Sequence, residues 1–84
     1  MNLAYRTGRA LAAYPDVAPI PAADVAALVE QMHTTGSNTK RLLLRRWISA
    51  NIDLLAFAGT PDDGVAWPLV VEWRAARAAL GAAR

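Results

Sequence analysis

Thr39-Lys40-Arg41-Leu42-Leu43-Leu44-Arg45-Arg46-Trp47-Ile48-Ser49-Ala50-Asn51-Ile52-Asp53-Leu54-Leu55-Ala56-Phe57 carries a sustained helical period and no breaker. At about 3.6 residues per turn, Leu43, Trp47, Ala50, Leu54 and Phe57 fall on one stripe, flanked by Leu44, Ile48 and Leu55. Arg41, Arg45, Ser49 and Asp53 lie opposite. More than half the circumference is apolar, so this helix is expected at the centre of the fold, enclosed by two or more neighbours.

Working outward, Thr34-Thr35-Gly36-Ser37-Asn38 reads as a five-residue turn, with Gly36 as its left-handed residue and Ser37 or Asn38 as the next N-cap. Before it, residues 21–33 read as a helix opened by Pro21, with Asp24 near its positive end and Val25, Leu28, Val29 and Met32 at core spacing. Residues 14–21 hold Pro15, Pro19 and Pro21, which remove donors and push their predecessors out of the helical region. They form an extended strap. Residues 2–13 read as a short helix weakened by Gly8. Beyond the central stretch, Thr60-Pro61-Asp62-Asp63-Gly64 is a turn, and Pro68 is expected to open a last helix over residues 68–80, with Leu69, Trp73, Ala76 and Leu80 inward. No strand alternation competes. The expected fold is all-α: a single domain over residues 1–84, built as a bundle of three to four helices with a Pro-rich strap between helices 1 and 2.

With 84 residues the chain buries only about 60–65% of its unfolded surface, so its stability is modest. It has no cysteine, which removes disulfides and thiolate metal sites and fits a reducing compartment. No apolar run approaches the roughly 20 residues that cross a bilayer, and the start Met-Asn-Leu-Ala-Tyr-Arg lacks the order of a signal peptide. A cytoplasmic protein without membrane contact is expected.

The inventory for catalysis is poor. His33 is the one histidine, with Glu30 on the same helical face, and two ligands do not make a metal site. Asp62 and Asp63 read as turn residues. The expectation is a non-enzyme with no cofactor and no metal. Gly36-Ser37-Asn38-Thr39-Lys40 resembles a phosphate-cradling loop only in offering free N–H groups beside a lysine, without the second glycine or the preceding strand. A helix-turn-helix with a reading helix from Thr39 is a further alternative. The five-residue turn and the enclosed second helix speak against it.

Lys40, Arg41, Arg45 and Arg46 crowd the first turns of the central helix, where cations oppose the helix dipole at about 0.3–1 kcal/mol each. A cluster that works against its own helix points to an anionic partner. Arg6, Arg9, Arg74 and Arg77 are candidate extensions of the patch, and Trp67 and Tyr5 are candidate interface aromatics. Ala4-Tyr5-Arg6-Thr7-Gly8-Arg9-Ala10-Leu11 is similar to a segment in the helical C-terminal part of large subunits in class 1 CRISPR effectors; it spans under a tenth of the chain and carries no residue roles.

The expected function is that of a non-catalytic interaction protein. It docks on a protein or protein–nucleic-acid complex that handles nucleic acid, as a phage-type inhibitor such as an anti-CRISPR or as a small accessory subunit, with direct backbone contact open. The alternatives are an oligomerising virion or assembly protein and a DNA-binding regulator. If the cluster serves only a partner, Arg41→Glu with Arg45→Glu leaves the fold intact.

Overall fold

The computed structural model describes residue 11 and residues 14–57 and 66–82. Within them lie three helices and no strand: α1 (Ala22–Thr34), α2 (Asn38–Ala56) and α3 (Ala66–Ala82). The helix expected over residues 2–13, Leu11 apart, and the turn at residues 60–64 fall outside the described residues.

Pro21 precedes α1 as its N-cap, with φ −61° and ψ 155°. Its carbonyl accepts from the N–H groups of Asp24 at 2.9 Å and Val25 at 3.0 Å, so proline's fixed φ launches the helix without a side-chain cap. Asp24 complements the positive end.

The turn into α2 is tighter than expected. Only Thr35, Gly36 and Ser37 separate the helices, and no described glycine, Gly36 included, has positive φ. Hydroxyl groups supply the closure that a left-handed glycine was expected to give. Thr34 Oγ1 donates to the Gln31 carbonyl at 3.3 Å, and Thr35 Oγ1 accepts from the Ser37 N–H at 3.3 Å. Ser37 Oγ then accepts from the Lys40 N–H at 3.1 Å, which makes Ser37 the N-cap of α2.

The last helix is described from Ala66, two residues before its expected start, so Pro68 lies within it, near the N-terminal end, where a missing N–H is tolerated. The buried stripe runs through Ala66, Val70, Trp73 and Ala76, while Leu69 and Leu80 are half-buried at its edge.

α2 contacts both other helices, as its wide apolar arc requires. Leu44, Ile48, Ala50, Leu54 and Phe57 are buried, and Leu43 and Trp47 are half-buried. The core joins Leu11, Val17, Ala50, Leu54, Val70, Trp73 and Ala76, edged by Tyr14, Trp47 and Leu69. Contacts between α2 and α3 run in opposite chain directions: Phe57 clusters with Ala66, and Trp47 meets Trp73 with ring centroids 5.1 Å apart. The pair is antiparallel.

One polar side chain sits inside this core. Asn51 is fully buried, between Trp47 one turn before it and Leu54 and Leu55 after it. Its Oδ1 accepts from the Ile20 N–H at 3.0 Å and from Trp73 Nε1 at 2.9 Å, and its Nδ2 donates to the Trp47 carbonyl at 2.8 Å. A buried amide left unbonded is costly, so a fully bonded one fixes the relative placement of its partners. Asn51 ties residues 14–21, α2 and α3 together.

Candidate interaction surface

Of the eight basic residues singled out in the sequence, the six that are described do not form one patch. Arg6 and Arg9, with Tyr5, lie outside the described residues. Three of the remaining six are held by partners within the chain.

Arg41 reaches back across the turn. Its Nη2 donates to the Thr35 carbonyl at 2.7 Å, its Nε to the Met32 carbonyl at 3.3 Å, and its Nη1 to Asn38 Oδ1 at 2.7 Å. The carbonyls at the end of α1 have no partner within the helix and carry the negative end of its dipole. Arg41 therefore opposes the dipole of its own helix while it caps the one before. The three-residue turn makes the two ends neighbours, and this accounts for Arg41 within the cluster. Arg41→Glu with Arg45→Glu is accordingly no clean probe of binding, because one of the two substitutions attacks the α1–α2 junction.

Arg46 and Arg74 hold the other long-range pairs. Arg46 Nη2 meets Glu72 Oε1 at 2.6 Å, and its Nε lies 3.1 Å from both carboxylate oxygens, bracing α2 against α3. Hydrogen bonding to this guanidinium holds the Glu72 carboxyl below its ordinary value of 4.5 and raises Arg46 in turn. Arg74 grips Asp16 at 2.7 and 2.8 Å, which lowers that carboxyl from its ordinary 3.8. Its guanidinium also stands 5.8 Å from the Tyr14 ring centroid. Both pairs are solvent-exposed, so they set register more than they add stability.

Lys40, Arg45 and Arg77 have no side-chain hydrogen bond or ion pair among the described residues. Arg77 lies 5.5 Å over the Trp73 ring. Lys40 and Arg45 diverge by about 140° round α2 at 3.6 residues per turn. Arg45 alone of these occupies the outward face of α2, and its neighbours there are apolar. Leu42 is 65% exposed and Ile52 47%, with exposed Ser49 between them. Leu42, Arg45, Ser49 and Ile52 follow one another at three- and four-residue steps, so they form a single strip.

Trp67 stands in the first turn of α3, 53% exposed, its ring 5.9 Å from that of Tyr14. Val71, one turn on, is 46% exposed, and Ala75, Ala78 and Ala82 continue the same outward face. His33 and Glu30 are both exposed. Sequence reasoning passed over Asn51, Asp16 and Glu72. Asn51 alone had a signal, a polar residue within the apolar arc of its helix.

No helix among the described residues is long and apolar enough to cross a membrane. No protein-family model, no curated protein and no solved structure matches the chain.

Proposed function

We propose that the chain is a non-catalytic helical interaction protein that docks through the outward face of α2 on an acidic, apolar-lined protein surface. The supporting observation is the composition of that strip: two large aliphatic side chains stand in solvent on either side of an arginine with no partner among the described residues. A phosphate backbone asks only for charge. Exposed leucine and isoleucine at helical spacing are what a groove-binding helix offers to a protein. The turn between α1 and α2 has the three-residue length of a helix-turn-helix, but the outward face that would read a groove carries exposed Leu42 and Ile52 around a single arginine.

A nucleic-acid-handling complex as the partner, and a role as phage-type inhibitor or small accessory subunit, rest on the chain's excess of basic over acidic residues and on the Ala4-to-Leu11 similarity, and the cytoplasm rests on the absence of cysteine. The complete fold in this reading is one domain over residues 1–84. A fourth helix over residues 2–13 is strapped to α1 by the proline segment, whose Asp16 and Ile20 bond Arg74 and Asn51.

Affinity capture from a cell lysate at low salt, with and without nuclease, tests the reading. A defined set of proteins is expected to survive nuclease and to be lost from Leu42→Ser/Arg45→Glu, which touches no described intramolecular bond. Retention of the same set by the variant refutes docking through α2. Capture that vanishes with nuclease means direct nucleic-acid binding instead.

A second reading has its own observation. The outward face of α3, with Trp67 and Val71 at its head, suits an assembly protein that buries this face on another copy. Sedimentation separates the two. A concentration-dependent oligomer indifferent to salt and dispersed by Val71→Glu supports assembly.

A further inference from the structure

Near its C-terminal end α3 leaves a cleft against the middle of α2, enclosing about 250 Å³ and lined by Trp47, Arg77, Leu80 and Gly81. An apolar cavity of about 150 Å³ admits one benzene ring, and sites for drug-sized ligands begin near 300 Å³. This half-open cleft therefore suits a single ring with a short substituent.

The lining selects the chemistry. Trp47, its ring tilted 49° against that of Trp73, and Leu80 supply an apolar, polarisable wall. Gly81 lines the opening, and a Cβ built there meets no atom within 4 Å. Arg77 supplies a cation, steadied 5.5 Å over Trp73 and without a hydrogen-bonded acid among the described residues. The carboxylate that feels its charge, Asp16, is bonded to Arg74 at both oxygens. Helices form the walls, so there is no strand edge to hold a peptide main chain.

We infer that this cleft binds a free, small aromatic carboxylate, its ring between Trp47 and Leu80 and its carboxylate on the Arg77 guanidinium. The site is independent of the docking strip, because Trp47 lies about 160° round α2 from Ser49 at 3.6 residues per turn.

Phenylacetate, titrated into the full chain carrying Trp67→Phe, reports on Trp47 and Trp73 by fluorescence. Saturable binding is expected with Kd of about 1 mM, as a ligand this small allows. Acetate lacks the ring and benzyl alcohol lacks the charge, and both bind at least about tenfold more weakly. Arg77→Gln weakens phenylacetate by about tenfold. Gly81→Leu, which adds a branched side chain at the lining, weakens phenylacetate with circular dichroism unchanged. Absence of saturation by about 20 mM, equal binding of benzyl alcohol, or full affinity in Arg77→Gln overturns the inference. So does a peptide ending in a free phenylalanine that binds about tenfold more tightly than phenylacetate, which would make a protein terminus the occupant.

Discussion

Replacing Asn51 by leucine keeps the branching and the heavy-atom count of the side chain and removes its bonds. The Ile20 N–H and the Trp73 Nε1–H, which meet Asn51 Oδ1 at 3.0 and 2.9 Å, are then left without an acceptor inside the core. Each buried donor stranded this way costs about 1–3 kcal/mol, and the added apolar burial of leucine returns about 1–2 kcal/mol. The two donors together cost about 2–6 kcal/mol, so the net loss is about 1–4 kcal/mol. At about 0.05–0.15 kcal/mol per residue, the 84 residues hold only about 4–13 kcal/mol in total. The substitution thus removes a large share of the stability. Urea unfolding followed by far-ultraviolet circular dichroism measures it, and at a slope of about 1 kcal/mol per molar the midpoint falls by about 1–4 M. Trp73→Phe deletes one of the stranded donors. The double variant Asn51→Leu/Trp73→Phe is therefore expected to be more stable than the sum of the single losses by about 1–3 kcal/mol. A midpoint for Asn51→Leu within error of the native chain, or strict additivity in the double variant, would refute the assignment of Asn51 as the tie between the three segments.

Gly36→Ala is expected to stabilise the chain by about 0.4–1 kcal/mol in the same assay, because Gly36 has neither positive φ nor any atom within 4 Å of a built Cβ; destabilisation would restore the left-handed turn. Arg41→Ala should cost about 1–3 kcal/mol through the carbonyls it leaves at the end of α1, whereas Arg45→Ala should leave the melting temperature unchanged; equal effects would contradict the division between capping and free arginines. Asp16 and Glu72 have carboxyls lowered from 3.8 and 4.5 by hydrogen bonds from Arg74 and Arg46, so their contribution is complete above those ordinary values and disappears as pH falls through the lowered ones. Acid titration of the melting temperature should accordingly show a smaller fall in Asp16→Asn/Glu72→Gln than in the native chain; identical acid profiles would mean that neither pair survives in solution.

Helical periodicity was enough to place α1 and α2 within about two residues, because caps and apolar spacing act over a single turn. Ser37 as N-cap and Asp24 at the start of α1 belong to that local order. The turn between the helices read less well. Thr34, Thr35 and Gly36 allow either a glycine-closed or a hydroxyl-closed turn, and the choice went to the bonds that Gln31, Ser37 and Arg41 make with it. Pro68 misled for a related reason: the missing N–H fits several first-turn positions, so proline marks the opening turn of α3 without marking its first residue.

Composition and periodicity by themselves determined an all-α chain with a wide apolar arc on its middle helix, since these depend on residues within a few positions of one another. Which arginines remain available to a partner was decided only by the tertiary structure. Arg46 finds Glu72 26 residues away, Arg74 finds Asp16 58 residues away, and Asn51 finds Ile20 31 residues away. Nothing in the spacing of charges distinguishes Arg45 from Arg41 or Arg46. Helix packing does so, by bringing an acceptor to two of the three and leaving the third between Leu42 and Ile52 on the outer face.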